Sequence, residues 1–173
     1  MSRCYRPGRI RFNPNFYPSN RLAGRTRAFA VEDEVLWQVQ MSAAITHDHP
    51  EGIKGAQATA LAVYLARTGV AKATIRARIQ AQFGYDLAGT VETLRPGYAF
   101  DVSCQGTVPA ALIAFLDADC YEETVRNAVS LGGDADTLAC IAGGIAEAYY
   151  GGVPDAIRAE VKGRQGFEDG LNP

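Results

Sequence analysis

The sequence predicts an all-α protein, and three observations carry that prediction. Apolar residues recur at spacings of three and four along most of the chain beyond residue 30. Glycine and proline punctuate the ends of these periodic segments, where helices stop and start. No stretch shows the two-residue alternation of a half-buried strand.

The first segment carries Val31, Val35, Leu36, Val39 and Ala43 on one face, with Glu32, Asp33 and Glu34 where the helix dipole favours acids. A second begins at Pro50, a residue suited to the first helical position. It presents Ile53, Ala56, Ala60, Leu61, Tyr64 and Leu65, then stops near Gly69. A third spans about Lys72 to Phe83, with Ile75, Ile79 and Phe83 in line and Gly84 after it. Residues 85–106 are broken by Gly89, Pro96, Gly97 and Gly106 and predict a long irregular loop, a type of segment that often carries function. Helical signal resumes at Thr107-Val108-Pro109 and runs to Leu116. A short helix follows from Tyr121 to Val129, with Val125 and Val129 on its apolar face. The next carries Leu138, Ile141, Ala142, Ile145, Ala148 and Tyr149 on one side and Ala139, Gly143, Gly144 and Ala146 on the other. That pattern predicts burial all round, up to Gly151 and Gly152. Pro154 opens a last short helix.

A length of 173 residues suits one domain with its own core. The longest apolar runs, such as 108–116, are too short to span a bilayer, and the start has no signal-peptide pattern, so a cytoplasmic protein is expected. Cys4, Cys104, Cys120 and Cys140 are scattered. Three lie within apolar patterns and are expected to be buried thiols rather than disulfides.

The net charge of −2 conceals an asymmetry. Residues 1–27 contain seven arginines and no acid, whereas the remainder contains ten basic and nineteen acidic residues. A boundary is therefore placed near Ala28, between an irregular arginine-rich segment (1–27) and a helical domain (28–173). The aromatics Tyr5, Phe12, Phe16 and Tyr17 in the basic segment are compatible with base stacking, but no nucleic-acid-binding module is recognisable there.

The densest chemistry lies in Gly132-Gly133-Asp134-Ala135-Asp136-Thr137. Two carboxylates and a hydroxyl at a helix start suit a hard divalent cation such as Mg²⁺ or Mn²⁺, and the two glycines allow a sharp turn close to a ligand. The same string also fits a simple helix start, with Asp134 as cap and Asp136 complementing the dipole. His47 and His49, the only histidines, stand just before Pro50. They suit a cap, a ligand hydrogen bond, or two of the ligands of a zinc ion. Asp117-Ala118-Asp119 repeats the acid spacing at a helix end, where a solvated turn is expected.

Three blocks taken together resemble the ADP-ribosylglycohydrolase family: Thr46-His47-Asp48-His49-Pro50-Glu51-Gly52, residues 101–111 around Gln105-Gly106-Thr107-Val108-Pro109, and Ser130 to Thr137. The segment Ala146-Glu147-Ala148-Tyr149-Tyr150-Gly151 continues the similarity. The resemblance implies a compact helical bundle whose cleft binds ADP-ribose with two Mg²⁺ or Mn²⁺ ions and hydrolyses its bond to a protein side chain or small molecule. It implies that Asp134, Asp136 and Thr137 are metal ligands, with a carboxylate of the site as general base. It also implies that His47, Gln105, Gly106, Thr107, Gly132 and Gly133 line the substrate cleft. Family members also carry a Ser/Thr-Asp-Asp triplet near the N-terminus and a Gly-Asn-Gly segment. Neither occurs here, so the resemblance implies the C-terminal half of the domain. An N-terminally truncated or frame-shifted gene is one expectation that the abrupt change near Ala28 raises. Such a fragment is expected to expose apolar faces, Val31-Val35-Val39 among them, and to self-associate. The alternative is a non-catalytic fragment that binds ADP-ribose weakly at most.

Overall fold

The computed structural model of the protein describes residues 31–45 and 48–165, so the arginine-rich segment and His47 lie outside the described residues. It consists of eight helices, and no strand occurs among the described residues: α1 (Glu32–Ala44), α2 (Pro50–Arg67), α3 (Lys72–Phe83), α4 (Val91–Leu94), α5 (Cys104–Leu116), α6 (Tyr121–Ser130), α7 (Ala135–Tyr150) and α8 (Asp155–Gln165). The all-α expectation holds.

Three parallel helices, α2, α5 and α7, form the centre. The starts of α2 and α5 meet where Gly55 faces Cys104 and Val108. A Cβ at Gly55 would lie 3.1 Å from the Cys104 Cβ, closer than packed side chains normally come. At the other end, the Phe115 and Tyr149 rings of α5 and α7 meet edge to face at 5.4 Å. Alanines 58, 62, 66, 110, 111, 114, 142 and 146 are buried among Leu61, Leu112, Phe115, Leu138 and Ile145, which lets the three backbones approach closely. α1 lies on the outer side of α2, α3 packs against α2 through Ile75 and Ile79, and α6 returns between α5 and α7.

The local signals act largely as expected. His49 caps α2, its Nδ1 accepting from the Glu51 N–H at 3.2 Å, and Pro50 takes the first helical position. Gly69, Gly84 and Gly151 end helices with positive φ. α1 has no side-chain cap, so its acidic first turn carries that end; Glu32 is paired with Arg78 of α3 at 2.6 Å.

Five expectations need correction. The loop expected over 85–106 contains α4, followed by a 3₁₀ turn at Arg95–Gly97. A Thr90–Thr93 capping box and the Asp117 carboxylate, which accepts from the Val91 N–H at 3.0 Å, support this short helix. Asp117 thus has a structural partner although it stands in an exposed turn. Second, α5 starts at Cys104 rather than Thr107. Ser103 caps it by accepting from the Gly106 N–H at 3.2 Å, and Pro109 sits inside the helix near its start. Third, α6 buries Thr124 and Ala128, while Val129 is 51 % exposed. The line along which α6 meets its neighbours lies one residue off the valine line. Fourth, Cys104 and Cys120 are only half-buried and Cys140 is exposed, all three as free thiols. Cys140 continues the solvent-facing edge of α7 begun by Asp136 and Thr137, and from Ile141 onward Ala142, Gly143, Ile145 and Ala146 are buried while the other side is half-buried, so the helix is not buried all round. Fifth, Val35 and Val39 are buried against Ala60, partly covered by Ala56 and Tyr64. Of the face Val31-Val35-Val39, only Val31 is therefore bare.

At the C-terminal pole the Lys72 ammonium donates to the carbonyls of Phe115 (2.7 Å) and Ala118 and to the Tyr150 hydroxyl (3.0 Å). It also lies 4.6 Å from the centre of the Phe115 ring. Burial pulls Lys72 below the ordinary lysine value, partly opposed by Asp119, Glu123 and Asp117. Burial likewise pushes the Tyr150 phenol up, and it holds the Tyr85 phenol at about 12.

Leu138→Ala, at a fully buried position of α7, is expected to cost about 3–5 kcal/mol in denaturant unfolding. Alkaline pH gives a second expected outcome. A phenol that holds its proton more tightly when folded contributes stability that is whole below pH 10 and fades as pH rises toward about 12. Lys72 acts with the opposite sign, because its lowered folded value makes stability rise with pH up to 10.5. The melting temperature is therefore expected to fall above pH 10, and Tyr85→Phe to reduce that fall, as read by circular dichroism melts.

Candidate functional site at the N-terminal pole

The starts of α2, α5 and α7 gather at the pole opposite Lys72. Parallel helices bring their positive dipole ends together there, which favours anions and acidic side chains. The sequence supplies acids at each start: Glu51 on α2, Asp101 before α5, and Asp134 with Asp136 on α7.

The turn into α7 depends on Gly132 and Gly133, with φ of +75° and +63°. At Gly133 conformation and space both exclude a side chain, since a Cβ would meet the Tyr98 ring at 3.1 Å and the Ala99 carbonyl at 3.3 Å. Asp134 occupies the N-cap position, yet its side chain makes no capping bond, so its carboxylate remains turned to other partners. One partner is Asp136. Hydrogen bonding with the Asp134 side chain, then with the N–H groups of Asp136 and Thr137, holds the Asp136 carboxyl below the usual range. Asp136 and Thr137 are exposed and Asp134 is half-buried, so the three oxygen-bearing groups stand at the surface end of α7.

The start of α5 is built around Asp101. Its carboxylate accepts from the Ser103 N–H at 2.7 Å, and the Thr107 hydroxyl donates to its carbonyl at 3.0 Å. The bonds from Ser103 hold the Asp101 carboxyl below the usual range. Gly106 is required because a Cβ there would overlap that carboxylate. Thr107 is 4 % exposed and its hydroxyl is engaged, so it holds the loop from inside, while Gln105 stands exposed beside it. Tyr98 joins the two loops. Its ring rests on Gly133, and its phenol is raised first by burial and then by Asp101, with Asp134 adding to the same direction.

At the start of α2, Glu51 pairs with Lys54 at 3.6 Å, and the Lys54 ammonium lies 4.7 Å above the centre of the Tyr85 ring. The Tyr85 hydroxyl and Glu51 Oε2 are buried without a hydrogen-bond partner. The structure thus brings Asp134, Asp136, Gly132 and Gly133 close to the Asp101–Gly106 loop. Sequence patterns alone do not single out Asp101, Tyr98 or Glu51: Asp101 and Glu51 lie inside the family-like blocks, and Tyr98 carries no local signal.

The donor set fits one side of the shell of a hard divalent cation: two carboxylates and a hydroxyl, of which the Asp134 carboxylate makes no capping bond. Among the described residues no group of three or more His, Cys, Asp or Glu side chains could complete such a shell. The remaining oxygens of Asp134–Asp136–Thr137 coordination would come from water, substrate or elsewhere in a longer chain.

The sequence is 28% identical to the ADP-ribosylhydrolase ARH3 of Mus musculus, over 95% of this chain and 58% of that protein. Against the ADP-ribosylhydrolase ARH3 of Homo sapiens it is 27% identical, over 92% and 58% respectively. The chain thus spans less than two thirds of the length of these relatives. The aligned span of 218 residues with the mouse protein exceeds the 173 residues of this chain, so the relative also carries insertions within the shared region. The sequence model of the ADP-ribosylglycohydrolase family matches residues 19–172, and with its three sequence blocks meeting at one pole of an all-α bundle, the chain belongs to that family.

Proposed function

We propose that this chain provides the C-terminal half of a hydrolase that removes ADP-ribose from a modified side chain or small molecule with the help of Mg²⁺ or Mn²⁺. The observation that carries this reading is the uncapped Asp134–Asp136 pair set among the starts of three parallel helices. ADP-ribose brings a diphosphate, which those helix starts favour, and ribose hydroxyls, which suit carboxylates and a shared cation. The metal, when bound, supplies positive charge at the sugar and lowers the pKa of a water.

The chain's own residues divide the work. Asp136, whose carboxyl is held below the usual range first by the Asp134 side chain, is assigned as a ligand. Asp134 is the better candidate for orienting a water, and Thr137 completes the oxygen edge. Gly132 and Gly133 let backbone approach the ligand, with the 98–101 loop behind them. Gln105 and Gly106 face the substrate from α5 and Thr107 steadies them, while the family resemblance assigns His47 to the same ligand. No helix among the described residues is long and apolar enough to cross a membrane. We place the protein in the cytoplasm, acting on ADP-ribosylated protein or an ADP-ribose derivative rather than on nucleic acid.

A second reading is a family fragment that binds ADP-ribose weakly and does not turn over. It is favoured by a carboxylate set of two where a metal shell asks for more, and by a span of 58% of the relatives' length.

Two measurements test these readings. With an ADP-ribosylated peptide and Mn²⁺, release of ADP-ribose is expected to depend on the metal and to fall by at least about 10–100-fold in Asp134→Ala. Calorimetric titration with ADP-ribose separates the readings. Binding without release supports the fragment, and neither binding nor release overturns both. Gly133→Ala is expected to cost about 1–3 kcal/mol through its left-handed φ and the contact with Tyr98, and to weaken ADP-ribose binding with it.

A further inference from the structure

Between the starts of α2 and α5 lies a polar seam that the oxygen edge of α7 does not use. Tyr85, in the loop after α3, is 7 % exposed, and its hydroxyl is buried without a hydrogen-bond partner. Glu51 Oε2, in the first turn of α2, is buried and unbonded in the same way. Lys54 links the two residues. Its ammonium stands 3.6 Å from that carboxylate oxygen and 4.7 Å from the centre of the Tyr85 ring. Cys104, the first residue of α5, closes the seam where it packs against Gly55 of α2. After burial, Glu51 and then Cys104 are the groups that raise the Tyr85 phenol, so hydroxyl, carboxylate and thiol are near neighbours.

A buried polar oxygen left unbonded costs more than a paired one gains, so two of them at one seam require a shared partner. The chemistry of that partner follows from theirs. The carboxylate, paired with an ammonium, only accepts, whereas the phenol has a proton to donate. The group between them must donate to Glu51 Oε2 and accept from the Tyr85 O–H, which a hydroxyl does with one atom. A phosphate or carboxylate has no proton for Glu51 and would set a second negative charge beside it. We propose that Glu51 and Tyr85 form a binding site for one hydroxyl group between the starts of α2 and α5. Water and the hydroxyl of a ribose both carry that chemistry. The Glu51 side chain is 32 % exposed, so the site lies just beneath the surface of the N-terminal pole. Neither residue has a part in the hydrolysis proposed above, so the two readings stand or fall separately.

A double-mutant cycle on the full chain, read by denaturant unfolding with and without ADP-ribose, tests the site. Tyr85→Phe keeps the ring and its contact with Lys54 and removes only the hydroxyl. In the free chain it is expected to lower the folding equilibrium constant about 5–30-fold. In the Glu51→Ala background the same change is expected to cost at least about fivefold less, because the bridge is already broken. Such coupling in the free chain identifies the hydroxyl as water. Coupling that emerges only with ADP-ribose identifies it as the ligand's. Equal effects of Tyr85→Phe in both backgrounds, with and without ADP-ribose, would overturn the proposal. So would a gain in stability in both conditions, since deleting a hydroxyl that has no partner removes a cost. A wild-type chain that binds no ADP-ribose counts against the proposed hydrolase, and the free-chain cycle still decides this site. Should Glu51→Ala fail to fold, Glu51→Gln takes its place in the cycle.

Discussion

Setting α2, α5 and α7 parallel is the constraint on which the rest of this structure depends. Parallel helices stack their dipoles in the unfavourable sense, so one end collects three positive poles and the other three negative ones. Each end must then be neutralised by side chains or ligands. At the C-terminal end basic side chains do so: Arg67 lies in the last turn of α2, and Lys72 reaches from the first turn of α3 to the carbonyls of Phe115 and Ala118 at the end of α5 and to the Tyr150 hydroxyl of α7. That ammonium is half-buried, and its desolvation is offset by three hydrogen bonds, aromatic faces and the nearby acids.

The N-terminal end is neutralised differently. Acids gather there, and two are held below the usual carboxyl range: Asp101 by bonds from Ser103, Asp136 first by the Asp134 side chain and then by the N–H groups of Asp136 and Thr137. Close packing of the loops follows from glycine at two positions. Gly106 admits the Asp101 carboxylate, and Gly133 admits Tyr98 and its neighbours. The pole is therefore both acidic and rich in outward N–H groups. An acidic pole at three helix starts suits the cation and the anionic ligand of the proposed function.

The similarity to the curated relatives covers nearly all of this chain but 58% of theirs. What the described residues supply is a coherent core with one oxygen-rich edge, and α1 on the outside with one face packed and the other open. The open face is the one facing away from α2, because the valine line was already committed to Ala60. Burying that line is the largest local gain available to α1, since Trp37, Met41 and Ile45 on its outer side stay exposed.

By itself the sequence determined most of the helices, the start of α2 at His49-Pro50, the glycine stops and the family. Local patterns produce these features: apolar spacing for α1, α2, α3 and α7, glycine with positive φ at helix ends, and proline at Pro50. It also placed Asp134, Asp136 and Thr137 together, because four consecutive residues at a helix start cannot separate. Only the tertiary structure decided features whose partners are distant in the chain. α4 exists partly through Asp117, 26 residues beyond Val91. Lys72 finds its carbonyl at Phe115, 43 residues on. Val129 and Cys140 turned outward because the packing lines of α6 and α7 follow their neighbours rather than the most apolar arc. Tyr98 came to rest on Gly133 for the same reason. Periodicity states which residues can be buried, and only the positions of the other helices state which of them are.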